Sequence, residues 1–368
     1  MGSSPVETLE KSLFVSLFSS FDKFIGDLVD VLFRKQPNLY LNINKEIKIS
    51  EVLEYNSIDE LRQSFLDKEI ETIRRKSYQE QFKSLENQFN ITTLKKFKQW
   101  PSFIEKSQRR NLFTHCDGVV SKQYIDICKS AGFNFEIEKN VGEQLEVGTE
   151  YLFHSCMIVA QVGIMLGQTL WRKVINNEIE KADRHLNEKI FDFLHEEEWL
   201  NAITIGDFAK NLSNNSTESM ERLFLINHAI ALNATDKKDE AKSLLNTKDW
   251  SATLLDFKLA YAVINYEYNE AQEIMKKIGK EGELVVEIAY HDWPLFREFR
   301  ESEQFFSGYE SVYGYPYLSK VKELAERTKN EVELLHDSSI EEHYKIQSDF
   351  SSMIWVLNHN RKSIFNIN

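Results

Sequence analysis

Apolar residues Leu9, Leu13, Leu17, Phe21, Phe24, Leu28 and Leu32 recur at three- and four-residue steps across residues 8–35. That spacing lines one face of an amphipathic helix, and Pro37 ends it. Residues 39–49 alternate apolar and polar side chains, which suits a short strand or a loop. Ser57 with Glu60 three positions on predicts a capping box at the start of the next helix. Further helical stretches are expected to about residue 88 and over 92–113, with Gly118 and Gly132 punctuating the segment beyond.

Residues 143–180 read as one long, strongly apolar helix. No Asp, Glu, Lys or Arg occurs from Tyr151 to Trp171, a length that could span a bilayer. Gly163-x-x-x-Gly167 has the spacing of close helix packing in membranes. Against this, His154, Ser155, Gln161, Gln168 and Thr169 interrupt the run. The expectation is a buried central helix of a bundle, with no membrane partner.

From about residue 185 charge rises and the helices shorten. Asn227-His228-Ala229-Ile230-Ala231-Leu232 leads to Asp239-Glu240-Ala241-Lys242-Ser243-Leu244-Leu245. About 30 residues later Leu259-Ala260-Tyr261-Ala262-Val263-Ile264 leads to Tyr268-Asn269-Glu270-Ala271-Gln272-Glu273-Ile274. Alanines facing across a helical hairpin are tetratricopeptide-like, and Asp292-Trp293-Pro294-Leu295-Phe296-Arg297-Glu298-Phe299 resembles a closing turn. Helical patterning continues over 317–364. The predicted fold class is therefore all-α, with a helical bundle over 5–180 and a helical-hairpin solenoid over 185–368.

Five prolines and 13 glycines in 368 residues agree with long helices rather than many tight turns. Three cysteines (Cys116, Cys128, Cys156) without a Cys-x-x-Cys pair read as reduced thiols, and the N-terminus lacks a signal-peptide pattern. A cytoplasmic protein is expected. The net charge of −13 opposes indiscriminate nucleic-acid binding but allows a local basic site. The densest cationic stretch is Lys95, Lys96, Lys98, Lys106, Arg109 and Arg110.

That stretch runs into Arg110-Asn111-Leu112-Phe113-Thr114-His115. A histidine can move the proton of an RNA 2′-hydroxyl, and an arginine can hold and neutralise the phosphate. The spacing alone has little weight: chance supplies roughly one Arg–His match in a chain of this composition, and Arg222 to His228 is another. Three features separate the first pair from the second. Asn111 shares a helix face with His115, a basic run precedes the pair, and Gly118 can end the helix.

These residues resemble the hallmark of HEPN domains (higher eukaryotes and prokaryotes nucleotide-binding), an Arg followed after four to six residues by His. Ser57-Ile58-Asp59-Glu60-Leu61, Arg75-Lys76-Ser77-Tyr78-Gln79-Glu80-Gln81-Phe82 and His115-Cys116-Asp117-Gly118-Val119-Val120 also resemble the flanking segments of bacterial members. The resemblance spans roughly residues 5–180, and Cys116 departs from it where a polar residue is expected. It implies a bundle that dimerises and a metal-independent endoribonuclease, with no cofactor, acting as a toxin-like effector in phage defence. Arg110, Asn111 and His115 would be catalytic, while Arg109, Lys106 and Lys98 would bind RNA. At about 100° per residue, Arg110 and His115 stand about 140° apart on a straight helix, which favours two copies over one. A protein or phage-derived trigger would act at the C-terminal repeats. The alternative is a non-catalytic helical scaffold.

Other candidates are weaker. His195-Glu196-Glu197-Glu198 and Glu341-Glu342-His343 lack His-Glu-x-x-His spacing and read as solvated acidic faces. No P-loop, Gly-x-Gly-x-x-Gly or Gly-x-Ser-x-Gly occurs.

Overall fold

Ser4 and Glu7 form a reciprocal capping box around Pro5 and start the first helix, α1 (Pro5–Lys35). The computed structural model describes residues 4–42, 46–136 and 139–323. After α1 come α2 (Ile49–Val52), α3 (Ile58–Arg74), α4 (Tyr78–Phe89), α5 (Trp100–His115), α6 (Lys122–Ser130), α7 (Thr149–Val174) and α8 (Ile179–His195). Next are α9 (Trp199–Lys210), α10 (Glu218–Ala234), α11 (Lys238–Leu245), α12 (Leu255–Ile264), α13 (Tyr268–Ile278), α14 (Ala289–Asp292) and α15 (Glu303–Tyr313). The protein is all-α: among the described residues no strand forms, only isolated bridges such as Val119 with Gln144.

The strand considered for residues 39–49 is replaced by a 3₁₀ turn over Pro37–Asn42 and the short α2. Alternation alone cannot make a strand where no neighbouring strand pairs with it. The helix expected over 143–180 starts later, at Thr149, and stops at Val174. The patterning expected over 317–364 lies largely outside the described residues.

The chain divides into two compact units. The first comprises residues up to Glu188 together with Asn211–Thr217; the second comprises Lys189–Lys210 and the residues from Glu218 onward. In the first, α1 packs on α3, α5 and α7. Its buried face is Phe14, Phe18, Phe21, Ile25, Val29, Leu32 and Phe33, while Leu9 and Leu13 are exposed. The hydrophobic stripe is thus rotated from the leucine positions toward the phenylalanines, the larger apolar groups. Phe103 of α5 is the hub, with the rings of Phe18, Phe21, Tyr78, Phe82 and Trp100 at 5.2–6.2 Å. This aromatic cluster fixes α5 against α1 and α4.

α7 is the one described helix long and apolar enough to cross a membrane by length and composition. Half of its apolar window is buried. Gly163 and Gly167 face Phe21 and Phe24 of α1, where an added Cβ would stand 3.5–3.8 Å from the rings. The small-residue spacing therefore seats aromatic rings from within the chain.

The second unit contains helical hairpins whose turns repeat one geometry. Each first helix ends with a bond from the amide of Glu198, Lys237 or Glu267 back to the carbonyl of Phe193, Leu232 or Ala262. The residues before those amides, Glu197, Asp236 and Tyr266, are left-handed at φ 60°, 61° and 63°. These turns join α8 to α9, α10 to α11 and α12 to α13.

Candidate functional site

α5 carries the motif on its last two turns and stops at His115 because the chain reverses there. The amides of Cys116 and Gly118 both bond to the Leu112 carbonyl, and Asp117 and Gly118 turn left-handed at φ 46° and 79°. A Cβ on Gly118 would fall 2.5 Å from the Phe113 ring, so only glycine fits. Residues 142–145 brace the turn: the Val120 amide bonds the Glu143 carbonyl, the Leu145 amide bonds the Gly118 carbonyl, and Gln144 donates to the Asp117 carbonyl. The reversal brings the start of α6 alongside the end of α5.

A cavity of about 470 Å³ opens at this point. Arg110, Asn111 and His115 all line it, with Asp22 of α1, Arg74 of α3, the connecting residues Arg75, Lys76 and Ser77, and Ser121, Gln123 and Tyr124 from the α6 region. The motif residues thus reach one cavity within a single chain. The 140° separation is bridged because the cavity wraps the end of the helix, rather than facing one side of it.

The Arg110 guanidinium is held by two partners. Nη2 lies 3.5 Å from the Asp22 carboxylate, and Nη1 donates to Asn111 Oδ1 at 3.2 Å. Arg110 Nε is buried without a partner. Asp22 also accepts from the Tyr78 hydroxyl at 2.7 Å, so one carboxylate ties the start of α4 to the end of α5. Burial and the adjoining carboxylate push the Tyr78 hydroxyl well above its ordinary pKa, keeping it a donor. His115 is exposed at the helix end. The lining carries four permanent cations, Arg74, Arg75, Lys76 and Arg110, against one carboxylate, Asp22. On a chain of net charge −13, this is a local concentration of the opposite sign.

The expected RNA-binding residues are placed differently. Lys106 is only 2% exposed, with Nζ 3.7 Å from the Glu105 carboxylate and 4.5 Å from the Tyr151 ring centre. Burial lowers its pKa, and the Glu105 charge partly restores it. Arg109 pairs with Glu105 at 2.8 Å and stacks over Tyr151 at 3.9 Å. Glu105, itself 1% exposed, also accepts from Tyr124 and Tyr151 at 2.7 and 2.8 Å. The expectation of solvent-facing phosphate contacts is corrected for Lys106 and Arg109: they belong to a buried ionic cluster joining α5 to α6 and α7. Lys98 is exposed and does not line the cavity; it precedes the start of α5, which lies about 15 Å along the axis from Arg110.

Sequence reasoning passed over Asp22, Arg74, Arg75 and Lys76. The cationic triplet just before the Ser77 cap was a readable signal, but nothing local links it to α5. The rival pair Arg222 and His228 is buried in α10 at 7% and 3% exposure. Arg222 sits over the Trp250 ring and pairs with Glu218, and His228 packs on Gly206. No metal-holding group of His, Cys, Asp and Glu forms among the described residues. His195 instead lies 3.2 Å from Asp292, and Glu197 pairs with Arg297. The Glu341–His343 segment lies outside the described residues.

No protein family, curated protein or solved structure gives a significant match to this chain.

Proposed function

We propose that the cavity at the end of α5 is the active centre of a metal-independent endoribonuclease of HEPN type. The observation that carries the reading is the convergence of Arg110, Asn111 and His115 on one basic cavity of an acidic chain. His115 removes the proton of an RNA 2′-hydroxyl, and the 2′-oxygen bonds to the adjacent phosphorus as the bond to the 5′-oxygen breaks. The imidazolium returns that proton to the departing 5′-oxygen. The products are a 2′,3′-cyclic phosphate and a 5′-hydroxyl. Arg110, aimed by Asp22 and Asn111, meets the charge that builds on the phosphate.

By its resemblance, the protein acts as a toxin-like effector in bacterial phage defence and pairs with a second copy through its first unit. The hairpins of the second unit receive the protein or phage-derived trigger. Incubation with total RNA in EDTA tests the chemistry: cleavage is expected for the wild type and lost in His115→Ala and Arg110→Ala. A second reading, a non-catalytic scaffold binding a partner through the hairpins, draws support from the in-chain partners that already engage Arg110. Equal inertness of all three proteins, together with growth unaffected by wild-type expression, would favour it.

A further inference from the structure

We infer that Arg74, Arg75 and Lys76 form a second phosphate subsite, which holds single-stranded RNA one or more phosphates away from Arg110 and His115. The inference rests on the ribonuclease reading for the identity of the polyanion. It assigns the strand-holding role to the α3–α4 turn rather than to the basic approach along α5.

Three observations carry it. The first is uncompensated charge. Among the described residues the Arg74 guanidinium has no ion pair or hydrogen bond. Arg75 pairs with Glu71, but both side chains are largely exposed, at 77% and 62%, and such pairs exchange readily for another anion. Lys76 Nζ donates to the neutral hydroxyl of Ser84 at 2.9 Å, which leaves its charge intact.

The second is a fixed presentation. The turn between the helices is only three residues long, ending at the Ser77 cap. Buried Gln81 grips it from beneath, donating its side-chain amide to the carbonyls of Lys76 at 3.0 Å and Arg74 at 3.5 Å. Glu80 already fills the start of α4 in a capping box, so the subsite consists of side chains and not of the helix end.

The third is registration against the catalytic wall. Asp22 accepts from Tyr78, the first residue of α4, and pairs with Arg110 of α5. The cationic turn and the motif are therefore held across one cavity by one carboxylate. A recess of this kind, walled by α1, α5 and α6 as well as the turn, admits a strand whose bases can splay apart. It does not suit the smooth backbone of a duplex.

The test uses the full chain carrying His115→Ala, so that cleavage does not interfere, and a short fluorescein-labelled oligouridylate followed by anisotropy. Adding Arg74→Ala and Lys76→Ala is expected to weaken binding about tenfold at low salt. It should also flatten the dependence of log Kd on log salt by about 1.4, two phosphate contacts at about 0.7 each on a single strand. The charge-reversed pair Arg74→Glu and Lys76→Glu should abolish binding with circular dichroism unchanged. Because Lys76 is half-buried against Ser84 while Arg74 is exposed, Arg74→Glu alone should weaken binding with Tm unchanged as well. Unchanged affinity and slope in both double variants, or equal binding of the parent to an RNA duplex, would overturn the inference. A wild-type chain that binds the strand in this way yet never cleaves RNA would instead sink the ribonuclease reading and leave the subsite standing.

Discussion

Asp22 is the residue on which the cavity's electrostatics turn, because it is the only carboxylate in a lining of four cations. It anchors Arg110, and it also competes with any phosphate that Arg110 would receive. Asp22→Asn keeps an oxygen for the Tyr78 hydroxyl while removing the negative charge. We expect this variant to bind short RNA several-fold more tightly, as read by anisotropy at low salt; equal or weaker binding would mean that Asp22 does not oppose the ligand. Glu105 poses the reverse case. It is buried beneath Arg109 and Lys106, so Glu105→Ala leaves buried cations without their anion. A loss of about 3–5 kcal/mol in denaturant unfolding is expected. A change below about 1 kcal/mol would show that the cluster is not a structural tie.

The helices show how far sequence pattern reaches. α1 was legible from its three- and four-residue spacing, although the face that packs is set by its phenylalanines. Ser57 does cap α3, accepting from the Glu60 amide, but Glu60 turns to Asn56 instead of closing the box. The left-handed turns of the hairpins were not legible, since Glu197, Asp236 and Tyr266 stand where glycine would be expected. Of these Asp236 is exposed, and Asp236→Gly is expected to raise stability by up to about 1 kcal/mol in chemical melts; destabilisation would point to an unrecognised role for its side chain. The α9–α10 contact supplies a pH dependence. Burial pushes His228 down to about 4 from its ordinary 6.5. The unfolded chain therefore takes up a proton as pH falls below 6.5, while the folded chain does not until about 4. The stability from neutral His228 is complete above pH 6.5 and is lost as pH falls toward 4, with on the order of 2 kcal/mol gone by pH 5. Thermal melts at pH 7 and pH 5 read this, and a His228→Gln variant should flatten the difference; an equal slope in that variant would assign the effect elsewhere.

For the molecule as a whole, the helical class could be read from periodicity alone. The candidate site was half legible. Arg110, Asn111 and His115 lie within six residues and stand out together, whereas Asp22 and the Arg74–Lys76 turn are brought to them only by tertiary packing around Phe103. Lys106 and Arg109 misled because a cation beside a motif looks solvent-facing until the packing of α5 against α6 and α7 is known. The central claim is that this cavity cleaves RNA through its 2′-hydroxyl, and end analysis of one defined oligoribonucleotide tests it most directly. In EDTA, the wild type is predicted to leave a 2′,3′-cyclic phosphate and a 5′-hydroxyl by mass spectrometry, with no product from His115→Ala or from a substrate lacking the 2′-hydroxyl at the cut. Cleavage that persists in either control, or products ending in a 5′-phosphate, would contradict the account.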